Sequence, residues 1–258
     1  MSLVPYVHLD VSLAGVGVDT AVTLPADTIH HLTRVLRLSP GSPVEVADGT
    51  GWQARARYAD GAVRLDADAV HLPPPSPPVV VAQALAKGRK LDEVVRQLTE
   101  LGVDAFVGLR TARSVVGLDA ERQARVTGRW RQVAWSASEQ ARRPTRPVVA
   151  DPIDVDALAS WRGDRDAAMG DAPGGDAPAL VLVAHPGARP LPAVLAEHPR
   201  PARVTIAIGP EGGFDDDEVA RLDAAGAVGV GLGPAVLRTE HAAAAAVAAT
   251  AALLGRWG

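Results

Sequence analysis

The seven residues Leu72–Pro78 contain five prolines, and this run divides the chain into two parts. Proline lacks the backbone N–H that helices and central strands need, so neither can pass through it. We interpret residues 73–78 as an extended linker between a first domain, residues 1–72, and a second domain, residues 79–258. A chain of 258 residues is long enough for one or two domains with their own cores.

The first domain carries the pattern of a small β structure. Segments 43–47, 52–58 and 62–69 alternate apolar and polar side chains with period two, and Asp-Gly pairs at 48–49 and 60–61 supply turns. We therefore predict a small barrel. One helix, Pro25 to Leu38, interrupts it and is followed by Gly41 as a stop signal. Its apolar residues recur at helical spacing: Ile29, Leu32, Val35 and Leu36.

In the second domain, segments typical of strands alternate with segments typical of helices. The predicted strands cover 79–85, 104–109, 180–184, 204–208 and 228–232. The predicted helices cover 91–101, 121–143, 191–197, 215–225 and 239–254. Residues 163–178, rich in Gly, Asp, Ala and Pro, are predicted to form a mobile loop. This alternation predicts an α/β domain with a mostly parallel sheet covered by helices on both faces.

The composition excludes several classes of protein. Apolar residues make up 47% and charged residues 22% of the chain, as in ordinary globular proteins. There is no cysteine, which excludes disulfides, thiolate metal sites and a cysteine nucleophile. The longest apolar stretch, 242–254, is shorter than the roughly 20 residues of a membrane span, and we find no signal-peptide pattern. We expect a cytoplasmic protein.

The formal net charge of −4 hides an uneven distribution. Residues 1–76 carry 5 basic and 8 acidic side chains, and residues 148–258 carry 8 and 15. Residues 77–147 carry 13 basic and 7 acidic side chains, a net charge of +6. A basic middle in an acidic chain indicates either a solvated helix face or a surface for a phosphate backbone. The arginines are densest between Arg122 and Arg146, and Trp130 and Trp135 among them are predicted to pack in a core or interface.

Glycine and proline cluster at 184–187, 209–213 and 233–240, where three predicted strands end. In open α/β sheets, ligands bind beyond the carboxyl ends of the strands. Neither a Gly-x-Gly-x-x-Gly fingerprint nor a P-loop is present. The helix after Gly213 begins with Asp215, Asp216, Asp217 and Glu218, which would repel a phosphate at its N-terminus. These loops therefore favour a neutral or cationic ligand.

Other chemistries fit the sequence poorly. No Gly-x-Ser-x-Gly elbow is present for a serine hydrolase. The adjacent His30 and His31 would point about 100° apart on a helix, which makes them a poor metal pair. His185 and His241 belong to no His-Glu-x-x-His pattern. We predict no metal site.

The motifs at these strand ends resemble the knotted SPOUT methyltransferases. Ile208-Gly209-Pro210-Glu211-Gly212-Gly213-Phe214, followed by Leu232-Gly233 and Val236-Leu237-Arg238-Thr239-Glu240, is similar to the cofactor-binding end of the bacterial enzymes that methylate N3 of a uridine in 16S ribosomal RNA. Further matches follow in the same order along almost the whole chain: His30-His31-Leu32, Val35-Leu36-Arg37, Lys87, Lys90, Thr99–Val103, Arg113–Val116, Arg129-Trp130 and Glu139-Gln140 with Arg143. The chain departs from the family pattern at Ala235, at His241 and at Pro5-Tyr6-Val7.

This resemblance implies a PUA-like RNA-binding barrel, a SPOUT domain with a C-terminal trefoil knot, and a homodimer. It implies S-adenosylmethionine as cofactor, no metal, and 16S ribosomal RNA in the 30S subunit as partner. The implied cofactor-binding residues are Ala184, His185, Ile208, Gly209, Pro210, Glu211, Gly212, Gly213, Leu232, Gly233, Val236 and Leu237. The implied RNA-binding residues are Arg34, Arg37, Lys87, Arg89, Arg113, Arg129, Arg142 and Arg143.

Arg238 and Glu240 are the candidate catalytic residues. Loss of the N3 proton leaves negative charge on the uracil carbonyls, which a positive Arg238 at a loop end would stabilise. Alternatively, Arg238 forms a salt bridge with Glu240 or another acid. Glu240 could accept the proton or merely orient Arg238. Two other functions remain open: a non-catalytic RNA-binding protein, or a related methyltransferase acting on transfer RNA.

Overall fold

The structure, a computed structural model, describes residues 4–114, 119–158 and 179–257. The predicted loop at 163–178 and the motif residues Val115 and Val116 lie outside them. The chain forms two compact units. The first contains the described residues up to Pro74 together with Ser138–Arg146, and the second contains the described residues of Pro75–Ala137 and Pro147–Gly258. No sequence pattern predicts that Ser138–Arg146 packs with the first unit.

The first unit is built on a six-stranded sheet. Its strands are β1 (Tyr6–His8), β2 (Ala21–Thr23), β3 (Pro43–Ala47), β4 (Trp52–Ala59), β5 (Ala62–Leu65) and β6 (Val70–His71). They follow the order β1-β3-β4-β5-β2, with β6 paired to β4; only β1 and β3 run parallel. Alternate residues of β3, β4 and β5 face one hydrophobic core, as their period-two pattern predicts. The unpredicted β1, β2 and β6 have at most three residues, too few to show alternation.

The predicted helix of the first unit starts where expected but ends early. Helix α1 (Ala26–His30) continues directly into a π-helical turn, His31–Val35. In this turn the Leu36 N–H donates to the His31 carbonyl five residues back, at 3.0 Å. The chain then leaves the helix through Arg37, whose φ of 56° is left-handed. The expected continuation to Leu38 with a stop at Gly41 is wrong, because the left-handed backbone of Arg37 ends the helix before Leu38.

The first unit has a buried histidine at the point where Ser138–Arg146 joins it. His8 is 3% exposed. Its backbone N–H donates to Glu139 Oε1 at 2.8 Å, and its Nε2 lies 2.7 Å from the Arg143 carbonyl oxygen, to which it can donate. Burial is the main cause that lowers the pKa of His8 from 6.5 to about 4. The neutral imidazole therefore links β1 to Ser138–Arg146, which we call the returning segment.

The returning segment is also held by two arginines. Arg142 donates to the Val4 carbonyl at 2.6 Å, forms an ion pair with Glu45, and lies 5.2 Å from the centroid of the Tyr6 ring. Burial and the Glu45 charge raise the pKa of Tyr6, so its hydroxyl stays protonated. The Arg146 guanidinium donates to the Asp48 carbonyl at 2.9 Å. These contacts explain why Ser138–Arg146 belongs to the first unit.

We predict that the first unit loses stability as the pH falls from about 6.5 to 4. In that window the unfolded state protonates His8 and the folded state does not, so the stability present above pH 6.5 decreases progressively, by up to about 3 kcal/mol. Urea denaturation of the full chain at pH 7 and pH 4.5 measures this loss. A His8→Gln variant keeps an N–H donor for Arg143 and should show a smaller pH dependence, whereas His30→Gln, at an exposed residue, should behave as wild type. Equal pH dependence in all three proteins would contradict the prediction.

The second unit is an α/β layer structure. Its strands are β7 (Val79–Ala84), β8 (Ala105–Arg110), β9 (Val148–Asp154), β10 (Ala179–Ala184), β11 (Arg203–Ile208) and β12 (Val228–Val230). Their order is β12-β10-β11-β7-β8-β9, and every pair is parallel. The helices are α2 (Lys90–Glu100), α3 (Ala120–Gln140), α4 (Val155–Leu158), α5 (Leu191–Glu197), α6 (Asp216–Ala224) and α7 (Thr239–Leu253). The predicted parallel sheet is confirmed.

Each face of this sheet has its own hydrophobic core. One core contains apolar residues of α2, α3, α5 and α7, and the other contains residues of α4 and α6. Trp130 belongs to the first core and is 2% exposed. The centroids of its ring and the Phe106 ring are 5.4 Å apart, and the two rings meet edge to face. Gly108 lies beneath it, since a Cβ there would be 3.2 Å from the Trp130 ring. None of the helices formed by the described residues is long and apolar enough to cross a membrane.

The end of the second unit is fixed by a buried ion pair. The side chains of Arg256 and Asp104 are 2% and 1% exposed, and Arg256 Nη2 lies 2.8 Å from Asp104 Oδ2. Arg256 also donates to the carbonyls of Pro75 at 2.9 Å and Gly102 at 3.0 Å. The same Asp104 oxygen accepts from the Val79 N–H at 2.8 Å. This network holds the residues after α7 against the start of β7.

Candidate functional site

Three loops leave the same edge of the parallel sheet. Strand β10 lies between β12 and β11, and its last residue, Ala184, is in register with Val230 on one side and Ile208 on the other. The glycine- and proline-rich segments after these strands therefore start from adjacent positions. This edge, at the carboxyl ends of parallel strands, is where ligands bind in such sheets.

The loop after β11 is a tight turn that only small residues allow. The Gly213 N–H donates to the Pro210 carbonyl at 2.8 Å, and Gly213 has a φ of 72°. A Cβ at Gly209 would lie 3.2 Å from the Phe214 ring. Glycine at these positions lets the backbone pass close to whatever occupies the edge.

Helix α6 begins with its own cap. The Asp215 side chain accepts from the Glu218 N–H at 2.7 Å, and Glu218 accepts in return from the Asp215 N–H at 2.9 Å. The helix N-terminus is thus satisfied by carboxylates, as the sequence indicates. A phosphate would meet negative charge there, which agrees with a neutral or cationic ligand.

The residues after β8 brace the loop after β11. Arg113 Nη1 donates to the Gly212 carbonyl at 2.6 Å and to the Phe214 carbonyl at 3.3 Å. The Ala112 N–H donates to Glu218 at 2.7 Å, and Glu218 is only 2% exposed. The sequence resemblance implies that Arg113 binds RNA. In the structure its guanidinium lies on the backbone of the predicted cofactor loop.

The loop after β10 is tied to strand β12. The His185 N–H donates to the Val230 carbonyl at 2.9 Å, and the Gly231 N–H donates to the Arg189 carbonyl at 2.7 Å. A Cβ at Gly231 would lie 2.7 Å from the Ala188 carbonyl oxygen, so only glycine fits this crossing. The side chain of His185 is exposed.

The last loop presents apolar side chains to solvent and then an arginine. Val236 is 82% exposed and Leu237 is 37% exposed, after Gly233 with its φ of 136°. Arg238 is the N-cap residue of α7 and is exposed. Its side chain forms no ion pair with any residue that the structure describes, so the alternative of a salt bridge to Glu240 is wrong. A free guanidinium and an uncovered apolar surface therefore stand side by side.

Two carboxylates and one lysine are further charged groups near these loops. Lys90 Nζ lies 3.0 Å from Glu211 Oε1, and both side chains are more than half exposed. The pKa of Glu211 is lowered by a hydrogen bond from its own backbone N–H and by Lys90. The pKa of Glu240 is lowered by its own N–H, by Thr239 and by the Lys90 charge. Glu240 is therefore ionised at neutral pH and is a weak base. The sequence motifs included Lys90 but gave it no role.

A buried glutamine lies level with the last residue of β11. Gln83 is in register with Ile208 and is 1% exposed. Its Oε1 accepts no hydrogen bond from the part of the chain that the structure describes. A buried acceptor without a donor is costly, which makes a ligand N–H a suitable partner.

The predicted RNA-binding residues differ in the contacts that they make. Arg34, Arg37, Lys87 and Arg89 are exposed and make no ion pair with the described residues. Arg129 forms an ion pair with Asp92 at 2.9 Å, Arg142 is held in the first unit, and the Arg143 carbonyl accepts from His8. Part of the basic excess thus serves internal ion pairs. Among residues 4–114, 119–158 and 179–257, no group of His, Asp and Glu could hold a metal ion.

Comparison with known proteins assigns the second unit, with its candidate site, to a class of enzymes. Residues 73–251 match the family model of an RNA methyltransferase domain. The chain is 37% identical to the ribosomal RNA small subunit methyltransferase E of Mycobacterium bovis over 90% of its length and 86% of that protein. It is 32% identical to the protein of the same name from Synechocystis over 92% of its length and 75% of that protein.

A solved structure has a similar fold over nearly the whole chain. The ribosomal RNA small subunit methyltransferase E of Neisseria gonorrhoeae, bound to S-adenosyl methionine, has a TM-score of 0.80 and 26% identity, covering 97% of this chain and 98% of that one. The protein described here therefore belongs to the ribosomal RNA small subunit methyltransferase E family. The family resemblance found in the sequence is confirmed.

Proposed function

We propose that this protein transfers a methyl group from S-adenosylmethionine to N3 of a specific uridine in 16S ribosomal RNA, within the assembled 30S subunit. The observation that carries the proposal is Arg238, which makes no ion pair with the described residues and lies in the last of the three loops at the carboxyl edge of the sheet. Family membership supports the RNA substrate, and the Neisseria structure supports the cofactor.

The residues at the sheet edge fit S-adenosylmethionine. The exposed side chains of Val236 and Leu237 offer an apolar surface for the adenine. The ionised Glu211 and Glu240 suit a cationic sulfonium, and the capped N-terminus of α6 does not need a phosphate. Gln83 offers a buried acceptor. The cofactor would be held by the twelve residues that the family resemblance implies, and Gln83 would accept a hydrogen bond from it.

Catalysis requires a methyl electrophile, an accessible N3 and a place for negative charge. When bound, the cofactor supplies an electrophilic methyl group. In a duplex N3 is paired, so the target uridine must be unpaired or flipped out to reach the edge. The N3–H proton passes to solvent water, and the negative charge that it leaves spreads over the uracil carbonyls, where Arg238 stabilises it. N3 takes the methyl group, and S-adenosylhomocysteine would leave as the product. Glu240, whose pKa is low, adds negative charge that suits the cationic sulfonium and does not itself take the proton.

The first unit binds RNA as a PUA-like barrel, and the second carries a C-terminal trefoil knot. Its all-parallel sheet, in which β12 lies at the edge next to β10, is consistent with a SPOUT fold. The functional protein is a cytoplasmic homodimer with its site near the subunit interface. Family membership supports these parts of the proposal.

Arg113 positions the cofactor loop and does not contact RNA. We predict that Arg113→Ala raises the dissociation constant for S-adenosylmethionine about tenfold, because the Gly212 and Phe214 carbonyls lose their donor. Isothermal titration measures the cofactor affinity, and a filter assay measures the RNA affinity, which should not change. Arg221→Ala, at an exposed arginine paired with Asp156, is the matched control. A loss of RNA affinity with normal cofactor affinity would contradict this role.

The proposed function is tested by transfer of labelled methyl from S-adenosylmethionine to undermethylated 30S subunits, free 16S RNA and transfer RNA. We expect label in the 30S subunits. Label in transfer RNA alone would favour the related transfer-RNA methyltransferases. Cofactor binding without any transfer would point to another RNA. Neither binding nor transfer would leave a non-catalytic RNA-binding protein and contradict the proposal.

A further inference from the structure

Lys90 is a charged residue near the cofactor loops to which the proposed function assigns no role. It is the first residue of α2, and its Nζ lies 3.0 Å from Oε1 of Glu211 in the loop after β11. Glu240, in the first turn of α7, makes no ion pair with the described residues. Its pKa is lowered mainly by its own backbone N–H, then by Thr239 and by the charge of Lys90. Two carboxylates thus share one neighbouring ammonium group, and we call these three residues the charge cluster.

The backbone around the charge cluster is fixed by packing, whereas its side chains are exposed. Leu91, the residue after Lys90, is 4% exposed and belongs to the hydrophobic core that also contains α7. Arg113 donates to the Gly212 carbonyl, one residue after Glu211. The side chains of Lys90 and Glu211 are 54% and 59% exposed. Because an ion pair this exposed is weak, another cation can displace Lys90 from Glu211 at little cost.

The cofactor and its product differ in charge at one atom. S-adenosylmethionine carries a positive sulfonium, whereas S-adenosylhomocysteine carries a neutral sulfur, and their adenosine and amino acid groups are the same. Carboxylates close to the sulfonium therefore stabilise the bound cofactor more than the bound product. A lysine that pairs with one of these carboxylates competes with the sulfonium and reduces this difference.

We propose that Lys90 sets the selectivity of the site for S-adenosylmethionine over S-adenosylhomocysteine. Glu211 and Glu240 favour the cationic cofactor, and Lys90 competes with it for the same negative charge. Since Lys90 acts mainly on the affinity for the cofactor and much less on that for the neutral product, it determines the ratio of the two dissociation constants. The inference rests on the cofactor site of the proposed function, but it does not depend on which RNA is methylated.

The test measures the dissociation constants of both ligands by isothermal titration of full-chain variants. Lys90→Met removes the competing charge and keeps an unbranched side chain. We expect it to raise the ratio of the product constant to the cofactor constant about threefold, and we expect Glu240→Gln to lower that ratio about threefold. The Lys90→Met/Glu240→Gln double variant loses one charge of each sign, so its ratio should return close to the wild-type value. Added salt should lower the wild-type ratio, because it screens exposed charges.

Arg221 and Asp156 provide matched controls away from the charge cluster. They form an ion pair at 2.8 Å, and their side chains are 52% and 69% exposed, much like those of Lys90 and Glu211. Arg221→Met and Asp156→Asn each change the charge of the second unit by one, and both should keep the wild-type ratio. The exposed side chains make loss of the fold unexpected, and titration reports the affinity of the folded fraction alone.

Three results would overturn the inference. The first is an equal change of both dissociation constants in Lys90→Met, which would mean that Lys90 contacts a group common to the two ligands, such as their carboxylate. The second is an equal shift of the ratio in the control variants. The third is a ratio in the double variant that stays at the value of either single variant. Methyl transfer to 30S subunits is measured separately: the expected ratios without any transfer contradict the proposed function and leave this inference standing, and transfer with an unchanged ratio in Lys90→Met does the reverse.

Discussion

Replacing Arg238 with alanine is expected to lower the rate of methyl transfer by about 10²–10³-fold. This is the usual effect of removing one preorganised group that stabilises developing negative charge. Arg238 is exposed and makes no ion pair with the described residues, so its loss should leave the fold intact. Single-turnover transfer to 30S subunits with saturating cofactor measures the effect on the chemical step.

The matched measurements separate catalysis from binding. Affinity for S-adenosylmethionine, measured by titration, should change less than threefold in Arg238→Ala. Arg238→Lys keeps the charge but not the planar guanidinium and should recover part of the rate. Arg221→Ala, another exposed arginine of the second unit, should react as wild type. If Arg238→Ala keeps the wild-type rate, the negative charge is stabilised elsewhere, and Lys90 becomes the first residue to test.

Replacing Arg256 with alanine is expected to lower the free energy of unfolding by about 3–5 kcal/mol. Its partner Asp104 is 1% exposed and would keep a buried, uncompensated charge. The carbonyls of Pro75 and Gly102 would also lose their donor. Urea denaturation followed by tryptophan fluorescence and by circular dichroism measures the change.

Two further variants show whether burial is the cause. Arg189→Ala breaks an ion pair whose side chains are both 55% exposed, and it should lower the free energy of unfolding far less than Arg256→Ala does. The Arg256→Met/Asp104→Asn double variant removes both charges and should be more stable than Arg256→Ala alone. A loss in Arg256→Ala as small as that in Arg189→Ala would contradict the account of a buried network.

The sequence predicts regular elements well where periodicity or a cap defines them. Residues 191–197 form α5 as predicted, and Gly102 follows α2 with a left-handed φ of 90°. Strand β9 is not among the predicted strands; it contains Pro152, which is tolerated because β9 lies at the sheet edge. The π turn was missed because its phase shift leaves no mark in an apolar pattern. The predicted helix 121–143 ends at Gln140, and the residues after it join the first unit.

The location of the candidate site could be predicted from the sequence, but the side-chain contacts within it could not. Three glycine-rich segments after three strands indicate a common edge, and the sheet order provides it. The contacts of Arg113 with Gly212 and of Lys90 with Glu211 join residues about a hundred positions apart, which no local pattern reveals. For the same reason the sequence could not separate arginines in internal ion pairs, such as Arg129, from those that make no ion pair with the described residues, such as Arg34.

The most direct test of the central claim is the identity of the modified nucleoside. Undermethylated 30S subunits are incubated with the protein and S-adenosylmethionine, and the 16S RNA is digested and examined by mass spectrometry against standards. The account predicts 3-methyluridine from the wild type, formed far more slowly when Arg238→Ala replaces it. A ribose-methylated nucleoside, a different methylated base, or no methylated product from a protein that binds the cofactor would contradict it.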